Sequence, residues 1–263
     1  MKRAIAVFLT IGAAVLIFTI APPASAQTFN IQLNVGLLNS LPQPTTTDPP
    51  GNFHHVQPAD FDPGKTNLVQ ATWLSGIGCP TNAFTFDFTT RSTTAFTDAA
   101  CTTGDSSDHH NEGLLLVKTG PTNNFAAAVA ELTNVKGITL SELGYDIRKS
   151  GGSGGSTFGS HCGAGAPRFD VVTSDGTIHF VGCNSPPATV AASSTGWVRL
   201  RWGAAELAAA FPAIAPTDVV TRIVIVFDEG TDAMGGPDQF GAAILDNIDV
   251  NTTLVGQGAV TAN

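Results

Sequence analysis

The chain is expected to be all-β: an antiparallel β-sandwich of jelly-roll type with one short helix. Three observations lead there. Roughly ten apolar or alternating runs of strand length recur, glycine-rich turns separate them, and only Ala204 to Phe211 reads as helix before Pro212 ends it. The pattern is densest over 221–250. There Ile223 to Phe227 is continuously apolar and Ala242 to Val250 alternates. Ala243, Leu245, Asn247 and Asp249 fall on one face, and Ile244, Asp246, Ile248 and Val250 on the other. Jelly rolls often pair their first and last strands, which sets Ala242 to Val250 beside the first expected strand, Thr28 to Val35.

The remaining elements follow in order. Leu41 to Lys65, rich in Pro, Thr and Asp, reads as a long loop or tether. Ala83 to Thr90 alternates, with Phe84, Phe86 and Phe88 on a core face. Gly113 to Lys118 is a strand, alanine-rich Phe125 to Leu132 suits strand or short helix, and Gly137 to Arg148 suits a strand bulged near Gly144. Ser150 to Ser156 is a flexible loop by composition. Arg168 to Thr173 and Thr177 to Gly182 flank Ser174-Asp175-Gly176, a hairpin signal. In Trp197 to Trp202, alternation puts Trp197, Arg199 and Arg201 on one side and Val198, Leu200 and Trp202 on the core side.

Residues 1–26 read as a signal peptide. Lys2 and Arg3 precede the uncharged apolar run Ala4 to Ala21, and Ala24-Ser25-Ala26 supplies the cleavage site. A retained anchor is the alternative, because the run nearly matches a bilayer span. Residues 27–263 are then one exported domain, secreted or at the cell surface, with a leader of bacterial type. The formal charge of -9 becomes about -11 without Lys2 and Arg3. Nucleic acid and anionic membranes, which need a basic surface, are poor partners for such a chain. A cation or a neutral polymer suits it better. Four cysteines in an exported chain imply two disulfides, and their near-equal local spacings favour Cys79 with Cys101 and Cys162 with Cys183 among the possible pairings. Zinc is the alternative, without C-x-x-C spacing to support it.

Several clusters carry candidate chemistry. Asp228, Glu229, Asp232 and Asp238 stand among Gly230, Gly235, Gly236 and Pro237. With Asp246 and main-chain carbonyls they offer the hard oxygens that calcium takes; a solvated acidic loop is the plain alternative. Asp228 and Glu229 are ill placed as a glycosidase acid and base, because neighbours on a strand point to opposite faces. His109, His110 and Glu112, with Asp105 or Asp108, have the donor types of a zinc site, or are ordinary solvated groups. His54-His55 is a second pair. Trp197 beside Arg199 and Arg201 has the chemistry to stack a sugar ring and bond its hydroxyls, the alternative being cation–aromatic packing. Trp73 is a further candidate anchor.

The closing stretch Ile244-Leu245-Asp246-Asn247-Ile248-Asp249-Val250 resembles the last strand of bacterial jelly-roll modules of the carbohydrate-binding and galactose-binding-like kind, which end on an apolar-Asp-Asn/Asp-apolar strand. The layout around Pro167-Arg168-Phe169-Asp170 and Phe227-Asp228-Glu229-Gly230 is also similar to uncharacterised secreted bacterial proteins. The first resemblance implies a structural calcium held by Asp246 or Asp249, and a non-catalytic module whose ligand is an extracellular glycan. Such a module expects Trp197 to be exposed. Two other functions remain open. A polysaccharide hydrolase or lyase on the same fold needs a groove with convergent acids or histidines, one of them desolvated. A structural cell-surface or matrix protein needs an open edge strand or apolar patch.

Overall fold

The computed structural model of the protein describes residues 51–80, 84–87, 89–95, 99–120, 126–149, 166–182, 185–193, 196–228 and 241–258. Among them the strands are β1 (Val56–Phe61), β2 (Val69–Ser75), β3 (Phe84–Asp87), β4 (Ser92–Ala95), β5 (Glu112–Lys118), β6 (Ala127–Leu132) and β7 (Glu142–Lys149). There follow β8 (Arg168–Thr173), β9 (Ile178–Gly182), β10 (Thr189–Ser193), β11 (Val198–Gly203), β12 (Val220–Phe227), β13 (Gly241–Val250) and β14 (Thr253–Val255). One short helix, α1 (Ala204–Ala208), follows β11.

Two antiparallel sheets form a sandwich, an arrangement compatible with a jelly roll. One runs β1-β6-β12-β8-β9 and the other β10-β11-β7-β13-β5-β2, with β14 added beside β13. Strands β3 and β4 form a separate hairpin. The core lies between the large sheets, where alternation points Leu143, Tyr145 and Ile147 of β7 at Phe169, Ile223 and Ile225 of the opposite sheet. At its centre Tyr145, Phe169 and Trp202 meet with ring centroids 5.2–6.0 Å apart. Their polar atoms are satisfied: Tyr145 Oη donates to Pro167 O at 2.8 Å and Trp202 Nε1 to Pro186 O at 2.9 Å.

The ambiguous alanine-rich stretch is β6. It lies between β1 and β12 and is buried along its whole length, so it shows no polar side from which a period of two could be read. Part of the expected loop 41–65 is also strand. β1 is an edge strand that pairs with β6, and its Pro58 and Asp60 are the residues that made it read as loop. Those residues suit a free edge, since proline and charge discourage further pairing. The edges of β1 and β2 meet at one side of the sandwich. There Trp73 Nε1 donates to Val56 O at 2.9 Å, and Asp60 Oδ1 accepts Ala71 N–H at 2.7 Å.

Two expectations about β13 are corrected. It pairs β5 over Gly241–Leu245, β7 over Ala243–Val250 and β14 over Ile248–Val250, which leaves no edge for Thr28 to Val35; that stretch itself lies outside the described residues. The bulge is on β13, not β7. Between its pairings to Asp146 and Gly144, β13 takes three steps, Asp246 to Asp249, while β7 takes two. The surplus is accommodated where Asn247 adopts φ +45°, a conformation Asn tolerates better than most residues. The bulge shifts the alternation by one. Ala243 and Leu245 face the core before it and Ile248 and Val250 after it, so Asp246, Asn247 and Asp249 are all left on the other face.

The Asp-Gly hairpin forms as expected: β8 pairs β9, and the Asp175 carboxylate accepts bonds from Thr173 Oγ1, Thr177 N and Thr177 Oγ1 across the turn. The helix is shorter than Ala204 to Phe211, and Glu206 accepts Gly203 N–H at its start.

Trp202 is fully buried. Its replacement by alanine is expected to cost about 3–5 kcal/mol in denaturant unfolding, against less than about 0.5 for Val190→Ala on the exposed edge strand β10.

Candidate functional site

The side of β11 that carries Trp197, Arg199 and Arg201 is the outer face of its sheet, as alternation requires, but it is not open. Residues around Cys79 and 100–103 lie over it, joined by the Cys79–Cys101 disulfide, whose Cα atoms are 5.5 Å apart. Trp197 is only 4% exposed and packs against Cys79, Ala100 and Cys101. The exposed stacking platform expected there is therefore absent, because a covering segment takes the place of solvent. Arg199 and Arg201 are also buried. Arg199 grips Asp146 of β7 in a bidentate pair at 2.7 Å on both arms, and its remaining donors reach the hydroxyl and carbonyl of Thr103. Arg201 pairs with Asp249 at 2.9 Å and bonds Leu200 O. Its chain lies across Gly144, where a Cβ would fall 2.5 Å from Arg201 Cδ. Gly144 is needed for that close approach.

Asp246 is buried in the same layer, 1% exposed. Its Oδ2 accepts Cys79 N–H at 2.6 Å and its Oδ1 accepts Asn247 N–H at 2.5 Å. No arginine or lysine bonds it among the described residues. Burial pushes its carboxyl well above the usual range, the two N–H donors oppose this, and neighbouring Asp146 and Asp108 add to the rise. Burial likewise raises Asp249 to about 6; Arg201 draws it down and Glu142 beside it pushes it up.

Of the sequence-expected calcium set only Asp228 and Asp246 lie among the described residues, and these two stand apart. Glu229, Asp232 and Asp238 lie outside the described residues, as do Cys162 and Cys183. Asp228 sits at the far end of the sandwich, its two oxygens held by Arg168 at 2.9 and 3.0 Å, within electrostatic reach of Lys118. Lys118 pairs with Gly241, and Asp246 lies about 16 Å further along β13 at the rise of an extended strand. Oxygens do converge elsewhere. A Cβ on Gly256 would lie 2.7 Å from Asp246 Oδ1 and 3.2 Å from Asn247 Oδ1, so two side-chain oxygens face one side-chain-free position, with Asp105 Cβ beside it at 3.2 Å and Asp105 N–H bonded to the Asn247 oxygen. Such donors suit a hard cation. Among the described residues, the trio of metal-ligating types that comes closest is Cys79, Cys101 and Asp146, and its sulfurs are already joined.

The zinc donors do not assemble either. Asp105 turns to Ser107 and Gly256 N–H, and Asp108 to the N–H groups of His110 and Glu112. His109, His110 and Glu112 instead form one wall of a groove of about 750 Å³ at the seam of β1 and β2, and His55 and Trp73 line it too. Glu112 Oε2 accepts Gly258 N–H and Gln257 Nε2 donates to Ser107 Oγ, so the C-terminal segment is pinned across this wall.

Alternation in β7 could have placed Asp146 opposite the core, but not the segment that covers it. Asn247 was visible only as part of a strand motif, and its bulge had no sequence signal beyond the Asn itself.

Two tests follow from the buried charges. Arg199→Met strips Asp146 of its bidentate partner, leaving it the Asn247 amide and Arg201 at 3.8 Å, and is expected to lower the unfolding free energy by about 3 kcal/mol in urea, with a smaller loss when Asp146→Leu is added. The second test concerns Asp249, which holds its proton up to about pH 6 when folded but only to its ordinary 3.8 when unfolded. The folded state thus binds more protons between pH 4 and 6, and this group's contribution to stability falls as pH rises through that window. In chelator, the wild-type unfolding midpoint is expected to drop by about 5 °C more across it than that of Asp249→Asn, as followed by circular dichroism.

Among the described residues no helix is long and apolar enough to cross a membrane. Comparison of the chain with protein-family models, curated proteins and solved structures found no match.

Proposed function

We propose that the chain is an exported, non-catalytic binding module for an extracellular glycan, its β-sandwich fastened by a structural calcium at Asp246. The observation that carries the reading is the Asp246 carboxylate, buried with no cationic side chain bonded to it and cradled with Asn247 and Asp105 against Gly256. These side chains would hold the ion; the ion would neutralise Asp246 and tie the covering segment, through Asp105, to β13. This reading keeps Asp246 as a ligand and sets Asn247 and Asp105 beside it; Asp228 is held by Arg168, and Glu229, Asp232 and Asp238 lie outside the described residues.

Absence of catalysis is supported by how the titratable groups are distributed. The desolvated carboxyls are dispersed: Asp146 and Asp246 lie beneath the covering segment, Asp249 is paired with Arg201, Asp170 is held by Arg168 in the opposite sheet, and Asp108 is turned to the N–H groups of His110 and Glu112. The groove, by contrast, presents exposed His109 and His110 and a Glu112 already bonded to main chain. A general acid and base need to share one cleft.

Thermal unfolding with calcium and with chelator tests the reading. At 100-fold over its dissociation constant calcium is expected to add about 2.7 kcal/mol, an increment lost in Asp246→Asn. The increment is also expected to shrink from pH 7.5 to pH 5, because a carboxyl raised by burial takes a proton in place of the ion. An undiminished increment in Asp246→Asn would move the ion elsewhere.

A further inference from the structure

Resting on the glycan-binding reading, the geometry points to the groove at the seam of β1 and β2, not the tryptophan face of β11, as the ligand site, and to a neutral oligosaccharide as its ligand. The groove, about 750 Å³, falls within the range of ~300–1,000 Å³ usual for small-ligand sites. Five separate pieces of chain line it, and hydrogen bonds fix their relation. Trp73 Nε1–H to Val56 O ties β2 to β1, Gln257 to Ser107 and Gly258 to Glu112 tie the C-terminal segment to the 107–112 wall, and Gly258 lies directly against the Trp73 ring. A recess pinned at several points loses little entropy on binding.

Its chemistry selects the ligand class. Neither lysine nor arginine lines it, and its one carboxylate is bonded, so an anionic chain finds no fixed counter-charge there. Val56, Pro58 and Trp73 are too little apolar surface for an acyl chain. What remains is half-buried Trp73 surrounded by hydrogen-bonding groups: the amides Gln57 and Gln257, the hydroxyls Thr72 and Ser107, and the imidazoles of His55, His109 and His110. Amphipathic sugar rings match that mixture, with C–H faces for the indole and hydroxyls for the rest.

Affinity electrophoresis of the disulfide-intact protein tests this, using the neutral polysaccharides β-glucan, galactomannan and xylan against the acidic polymers alginate and polygalacturonate. At least one neutral polymer is expected to retard the wild type. Retardation should weaken at least tenfold in Gln57→Ala/His109→Ala, whose substituted side chains lie on the groove wall, and in Trp73→Phe, while Trp197→Phe keeps it. Unfolding midpoints establish that each variant is folded. Equal retardation of wild type and folded groove variants would overturn the site while leaving the glycan reading intact. Retardation by acidic polymers alone would overturn the ligand class. A folded wild type that none of the five polymers retards would overturn this inference together with the reading it rests on.

Discussion

One inserted residue in β13 decides what the outer face of the larger sheet is made of. Without the bulge at Asn247, strict alternation would send Asp246 to one side of the sheet and Asp249 to the other. One carboxylate would then stand among Leu143, Tyr145 and Ile147, where burial of an unpaired charge costs several kcal/mol. With the bulge, the apolar residues change parity together with the acidic ones. Ile248 and Val250 continue the core that Ala243 and Leu245 begin, and all the polar side chains of the strand's second half join Asp146, Arg199 and Arg201 outside it.

That outer layer is stable only as a set. Asp146 takes both arms of Arg199 and the Asn247 amide, Arg201 takes Asp249, and Thr103 takes what Arg199 has left. Buried ions repay their desolvation only when geometry and hydrogen bonding are this complete. Asp246 is the member left with main-chain donors alone. It is where the layer's charge balance is open, and Gly78 and Gly256, both within about 3 Å of its oxygens once a Cβ is imagined on them, keep side chains away from it.

Much of the sandwich was legible in the sequence. Hydrophobic alternation located β5, β8, β9 and β11 and assigned the two sides of β11 correctly, because a strand's period of two is imposed by its backbone. It failed where other effects override the pattern: at β6, buried on both faces, at β1, an edge strand written in proline and aspartate, and at β13, where a bulge breaks the period. The site was harder to read for a single reason. A face that points away from the core is assumed to meet water, and nothing local to Trp197 or Arg199 announces that residues some hundred positions earlier will lie on top of them. Likewise, His55, Trp73 and His109 enter one groove because the edges of two different sheets meet there through side-chain bonds, a contact that has no signature in any short window.

The Cys79–Cys101 bridge closes a loop within the covering segment and makes no covalent link to the sandwich. The protein's order therefore comes in two grades. The aromatic centre around Tyr145, Phe169 and Trp202 lies among strands that do not involve the bridge, whereas the seal over Trp197 and Asp246 does. The bond cross-links the cover, and the dry, charge-matched layer of Asp146, Asp246 and Arg199 depends on that cover for its exclusion of water, so the cohesion of the outer face is partly covalent where that of the core is wholly a matter of packing.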